Sequence, residues 1–182
     1  MVATGVGSWQ LVTVPVAVIR SAATRTTASG VVVHLTPTRA GRPLTALQTP
    51  PVTLAPGETL VVAANCTDTC VGADGADVSV TPGGWSAQPA SAIIARAGTP
   101  ACTVSCRGHG QWGVPLTVAG TTLVAGEQVD LFASCTDAVG AIIGGGQRTL
   151  VWPQPGGSLG IDVPVIVNEP PAACVVGATT SS

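Results

Sequence analysis

The residues best equipped for chemistry are six cysteines. Cys66 and Cys70 stand in "CTDTC", Cys102 and Cys106 in "CTVSC", and Cys135 and Cys174 stand singly. A four-thiolate zinc site draws its ligands two to four residues apart, so the two close pairs have admissible spacing. They fall in different copies of an internal repeat, however, and neither sits in a Gly-turned knuckle, so no metal is expected. Disulfides are a second use. If "ACTVSC" is a strand, Cys102 and Cys106 lie about 13 Å apart at strand rise, too far to bond each other. Either could then approach Cys135 across a core, all three facing inward, while Cys66 can bond Cys70 if "CTDTCVGADGAD" is a loop. Buried free thiols acting as small apolar residues are a third use. The spacing leaves thiols and disulfides both open for Cys66, Cys70, Cys102, Cys106, Cys135 and Cys174.

Other constellations are thinner. His34 falls mid-strand on an expected outer face and His109 in the turn-like "RGHGQWG", and neither has a metal-like partner at helical spacing. No "GxSxG" elbow accompanies the Ser and Asp residues. Cys106 and His109 are near neighbours without an orienting third group. No catalytic residue and no cofactor is expected, and the chain reads as a non-enzyme. Glu58, Glu127, Asp68, Asp74 and Asp77 invite a calcium reading, but "ADGAD" lacks the remaining ligands of an EF-hand loop. Loop Asp residues stabilising their own turns are the expectation. Of the four tryptophans, Trp9, Trp85, Trp112 and Trp152, packing is the simplest use. Trp85 in "TPGGW" and Trp112 in "QWG" sit in turn-like settings where a ring could make contacts or stack on a sugar.

The elements that must position these residues come from the repeat. "LAPGETLVVAANCTD" (Leu54 to Asp68) returns as "LVAGEQVDLFASCTD" (Leu123 to Asp137), 69 residues on, with seven of fifteen positions identical. A fixed offset defines architecture before any single residue is interpreted. "GRPLT" (Gly41 to Thr45) matches "GVPLT" (Gly113 to Thr117), and "AVIRSAAT" (Ala17 to Thr24) is a weaker partner of "AIIARAGT" (Ala92 to Thr99). The period within each copy is two. Leu60, Val62, Ala64 and Cys66 share one face, as do Val129, Leu131, Ala133 and Cys135, with Asp130 and Ser134 opposite. Val31, Val33 and Leu35 share the inner face of "GVVVHLTPT". Gly57 and Gly126 are expected in equivalent turns, and Leu60 and Val129 at equivalent core sites. Short Val- and Thr-rich runs separated by Gly and Pro are the pattern of β-sandwiches, and no segment has a capped helical period.

The sequence of 182 residues is 46% hydrophobic and 9% charged, which excludes disorder. A net charge of −2 without a basic run argues against a nucleic-acid partner. The apolar run Leu11 to Ile19 is too short to cross a bilayer as a helix. The amino-terminal stretch has no basic leader, so no secretory signal is expected, and the sequon at Asn65 is read as coincidence. The expected fold is all-β. One sandwich covers residues 1–86, a short linker 87–91, a second sandwich 92–168, and a carboxy-terminal tail 169–182.

"VTLAPGETLVV", with the Val-rich strand and "AGRPLT" turn before it, resembles the immunoglobulin-like β-sandwich modules of bacterial surface proteins and tailed-phage virion proteins. In that group the strand before the last hairpin often opens with Leu-x-Pro-Gly-Glu, and the second copy departs from this by carrying Ala125 in place of Pro. The resemblance implies two tandem immunoglobulin-like domains. Two roles follow as expectations. One is a structural virion protein, a tailed-phage capsid decoration, head-fibre or tail component, binding other virion proteins such as a capsid or tail lattice and self-associating. The apolar surplus fits a surface buried by such assembly, with the terminal segments as contact arms. The other is an extracellular adhesion or carbohydrate-binding module.

Overall fold

A computed structural model describes residues 3–87, 93–105, 107–120, 123–155 and 157–180. Among these the chain is all-β, with strands gathered into three sheets. The amino-terminal half contains β1 (Ala3–Trp9), β2 (Val12–Arg20), β3 (Thr27–Arg39), β4 (Arg42–Pro43), β5 (Leu47–Gln48), β6 (Val52–Leu54), β7 (Thr59–Ala63), β8 (Cys66–Thr67), β9 (Gly75–Thr81) and β10 (Gly84–Ser86). The carboxy-terminal half contains β11 (Ile93–Ala97), β12 (Ala101–Val104), β13 (Gly110–Gly120), β14 (Gln128–Thr136), β15 (Ile142–Val151), β16 (Ser158–Val167) and β17 (Ala173–Thr180).

In the first half, β2 lies between β1 and β7 in one sheet, while β3 collects β4, β5, β6, β9 and β10 into another. Ala17 and Ile19 of β2 and Leu60 and Val62 of β7 meet Val31, Val33 and Leu35 of β3 in a dry core. The inward residues of β3 are the alternate ones read from the sequence, as period two requires.

The second half is one ladder, β11-β13-β16-β15-β14-β17, with β12 added beside β13. It folds over at "GGG", residues 144–146. β15 and β16 pair only at Gly144↔Val167 and Gly145↔Ile166, and a Cβ on Gly144, Gly145 or Gly146 would strike the carbonyl oxygens of Ile166, Ala133 and Pro164 respectively. Side chains are therefore excluded where the sheet turns back on itself, a recurrent use of glycine in strands. The fold encloses Val114, Leu116 and Val118 of β13, Val163 and Val165 of β16, and Val129, Leu131 and Ala133 of β14. β11 comes alongside β17, so the two ends of the ladder meet.

A third apolar cluster lies between the halves. Val14 and Val16 of β2, Val61 and Ala63 of β7 and Phe132 of β14 are all buried there, with Ile142 and Ile166 packed on them. β2 and β7 thus bury odd and even residues alike: one parity faces their own core, the other faces the opposite half. β14 is buried from Val129 to Cys135 without a break. Strands covered on both faces read as continuous apolar runs instead of alternating ones. The result is a four-layer stack in which β2, β7 and β14 are covered on both faces. The apolar surplus expected to be buried by assembly is largely buried here, inside the chain.

The terminal segments are also integral. β1 pairs along its length with β2, and its glycines let it lie directly on the other half. A Cβ on Gly7 would strike the carbonyl oxygen of Ile166 and come within 2.9 Å of the Cα of Gly144. Asn168 completes the junction: its Nδ2 donates to the Val6 carbonyl at 2.7 Å and its Oδ1 accepts from the Ser8 amide at 2.9 Å. The stretch 169–182, expected as a tail, contains β17, which pairs with β14 from Val129↔Thr180 to Thr136↔Ala173. Of the expected linker 87–91, all but the first residue lies outside the described residues.

The repeat proves uneven. "GRPLT" contains the short β4 beyond a hairpin turn, whereas "GVPLT" lies within β13. β7 pairs with β2, while its counterpart β14 pairs with β15 and β17.

Gly7→Ala is expected to lower the unfolding free energy by about 1–3 kcal/mol, because backbone of the opposite half must move. Gly160→Ala, where an added Cβ meets nothing within 4 Å, should change it by less than about 0.5 kcal/mol. Urea unfolding of the two variants against the parent checks this; equal midpoints would contradict the close packing of the halves.

Candidate functional site

The cysteines are structural in the described residues. Cys66 bonds Cys70 in the loop after β7, with Cα atoms 5.8 Å apart. The loop is anchored where Thr13 Oγ1 donates to the Cys70 carbonyl at 3.0 Å. Cys135 bonds Cys174 across neighbouring strands, in direct register between β14 and β17 with Cα atoms 4.1 Å apart. The expected approach of Cys102 or Cys106 to Cys135 is thereby overturned: the adjacent strand, read from sequence as a tail, supplies the partner. Cys102 is disulfide-bonded and its side of β12 is exposed, not inward. Cys106 lies outside the described residues.

The repeated acidic residues hold turns. Glu58 Oε2 accepts from the Ala55 amide at 2.6 Å, and Glu127 Oε2 accepts from the Val124 amide at 3.1 Å. The backbone repeats the same geometry, Glu58 N donating to Ala55 O at 3.1 Å and Glu127 N to Val124 O at 3.2 Å. Gly57 and Gly126 take φ values of 69° and 87°, where glycine is strongly favoured. Each turn is fastened to its own half, Gly57 N to Ala23 O at 3.1 Å and Gly126 N to Trp152 O at 2.9 Å. The Leu-x-x-Gly-Glu repeat is therefore a repeated capped turn, and its carboxylates are occupied by it. Leu60 and Val129, the expected equivalents, are both buried.

Asp74 caps the β3–β4 hairpin rather than its own turn, its two carboxylate oxygens accepting from the Ala40 amide at 3.2 and 2.9 Å. Asp68 sits at a φ of 52°, and Asp77 lies in β9 opposite Thr36. Asp137 closes an Asx turn, Oδ1 accepting from Val139 and Ala141 amides at 2.9 and 2.8 Å. Among the described residues no three His, Cys, Asp or Glu side chains are grouped to hold a metal.

Asp130 and Ser134 oppose the core face of β14, as expected, but are buried. Thr149 Oγ1 donates to Asp130 Oδ1 at 2.5 Å, whereas Ser134 Oγ has no hydrogen-bond partner. Both point from β14 towards the layer between the halves, a layer that the sequence does not announce.

His34 is half-buried in β3 between Gln48 and Ser79 in register, and His109 is exposed in the bend before β13. Trp152 is buried in the second core. Trp112 is half-buried on that same core, with Nε1 buried and without a partner. Trp85 is 59% exposed on the short β10, the more open of the two rings singled out in the sequence. Trp9, expected from the sequence to serve in packing, is half-buried at the end of β1. It lines two adjoining clefts where the halves meet. One, of about 220 Å³, also has Asn65, Gln111 and Gln147 in its wall, and the other, of about 530 Å³, has Ser105, Arg107 and His109.

Removing the Cys135–Cys174 bridge by double substitution to Ser should cost about 3–4 kcal/mol, since it closes a loop of sequence separation 39. Losing the Cys66–Cys70 bridge, of separation 4, should cost less. Alkylation of the denatured, unreduced protein followed by peptide mass spectrometry should leave these four cysteines unlabelled, and labelling would contradict the pairing. Glu58→Ala should cost about 1 kcal/mol by freeing the Ala55 amide, with a melting temperature insensitive to added calcium; a calcium-dependent rise would contradict the capping role. No protein-family model and no curated protein matches this chain.

Proposed function

We propose that this chain is a non-enzymatic structural protein of a virus-like particle, made of two tandem immunoglobulin-like β-sandwich modules and acting through protein–protein contacts as a tailed-phage capsid decoration, head-fibre or tail component. The observation that carries the reading is the junction between the halves. A shared apolar layer, the Gly7 contact and the two Asn168 hydrogen bonds join the halves into one stiff block, the mechanical property wanted of a part that packs in a lattice. Apolar side chains project from its hairpin tips, with Leu11 61% and Val139 88% exposed, where neighbouring subunits can cover them. The Leu-x-Pro-Gly-Glu resemblance supports the same assignment. The partners are other virion proteins and further copies of the chain.

A second reading, an extracellular adhesion or carbohydrate-binding protein, is favoured by the open ring of Trp85. Density-gradient sedimentation of native lysate, with the chain followed by peptide mass spectrometry, separates the two. Co-migration with a capsid protein in fixed ratio is the expected result. Cell-surface fractionation without particles would transfer the assignment to adhesion, and recovery in neither fraction would overturn both.

A further inference from the structure

We infer that the cleft beside Trp9, at the junction of the halves, is a binding site for a neutral saccharide. Its wall is built by strands from both halves. Trp9 ends β1 and Asn65 follows β7, while Gln111 and Gln147 come from β13 and β15. Val12 and Ile166, both half-buried, contribute apolar surface. None of the side chains lining it is charged.

The chemistry of that wall matches a sugar more closely than other small ligands. A sugar hydroxyl both donates and accepts, and a carboxamide offers a donor group and an acceptor oxygen on one planar head. The carboxamides of Asn65 and Gln147 therefore satisfy hydroxyls in either sense without imposing a charge. The C–H face of a pyranose is apolar and flat, suited to an indole ring that also carries a polar edge. A few convergent polar groups in a partly apolar concavity is the common form of a small-molecule site. The volume, about 220 Å³, suits a single sugar unit. The adjoining cleft, of about 530 Å³ and sharing Trp9, gives a chain of units somewhere to continue past Ser105, Arg107 and His109.

The site depends on both halves being docked, and its wall is fixed by the same close packing that joins them. β1 is held on the second half by the Gly7 approach and by Asn168, which sets Trp9 two residues further along the strand. The inference is independent of whether the protein is carried on a particle or a cell surface.

Its test is an array of immobilised neutral and sialylated oligosaccharides probed with the full chain, followed by titration calorimetry with the neutral oligosaccharide that binds best. The expected result is binding to neutral glycans that weakens about tenfold or more in Trp9→Ala and in Gln147→Ala, and is unchanged in Trp85→Ala. Thermal melting identifies any variant that fails to fold. If Trp9→Ala does not fold, Asn65→Ala and Gln147→Ala decide the matter, and undiminished binding in both would overturn the proposal. Loss only in Trp85→Ala would place the ligand on β10 and overturn it. So would binding restricted to sialylated glycans and insensitive to Trp9→Ala, or binding to no glycan on the array.

Discussion

The interaction on which the rest of the structure depends is the apolar contact between the two halves. Val14, Val16, Val61 and Ala63 on one side and Phe132 on the other form a buried layer. Burial of apolar side chains is worth roughly 1.5–3 kcal/mol for each large residue fully removed from water, so this layer is comparable in weight to part of a domain core. It explains why β2, β7 and β14 carry apolar residues at both parities. A strand that faced solvent on one side would alternate, as β13 does through its exposed Pro115 and Thr117. β3 and β13 of the outer layers alternate, whereas β2, β7 and β14 are buried almost without a break.

The apolar contact alone would permit sliding, since dispersion and burial are weakly directional. Direction comes from contacts between backbones. The glycines of β1 allow main chain to rest on main chain, and Asn168 offers β1 the donor and acceptor that another strand would have offered. Its side chain thus continues a ladder for one residue where no strand follows. The "GGG" corner does similar work within the second half, letting one ladder become two facing layers. In both places missing side chains let main chain approach main chain, and at the junction the Asn168 side chain adds the directed hydrogen bonds.

Much of the fold was legible in the sequence because it rests on local period. The inner face of β3, the paired faces of β7 and β14 and the turns at Gly57 and Gly126 follow from alternation and turn chemistry. What was not legible is non-local. Cys135 could be placed on an inward face, but nothing in a single strand says that its neighbour carries Cys174. Asp130 and Ser134 read as outward-facing residues, since period two distinguishes one face from the other and does not say what covers the second. Trp9 read as packing for the same reason: the carboxamides around it come from segments far along the chain. The "GRPLT" and "GVPLT" match misled because similar residues serve a turn in one setting and a strand interior in the other.

The shared layer also orders events during synthesis. When the amino-terminal half has emerged from the ribosome, Val14, Val16, Val61 and Ala63 lie on a sheet face whose cover, β14, has not yet been made. β17, which closes over Leu60 and Val61 through Gly177, comes later still. A nascent chain of this design carries an apolar sheet face in the open for much of its translation, the state in which multi-unit proteins aggregate or exchange parts with neighbouring copies. In a chain of this design, elongation rate and chaperone cover bear on yield alongside the stability of the finished stack.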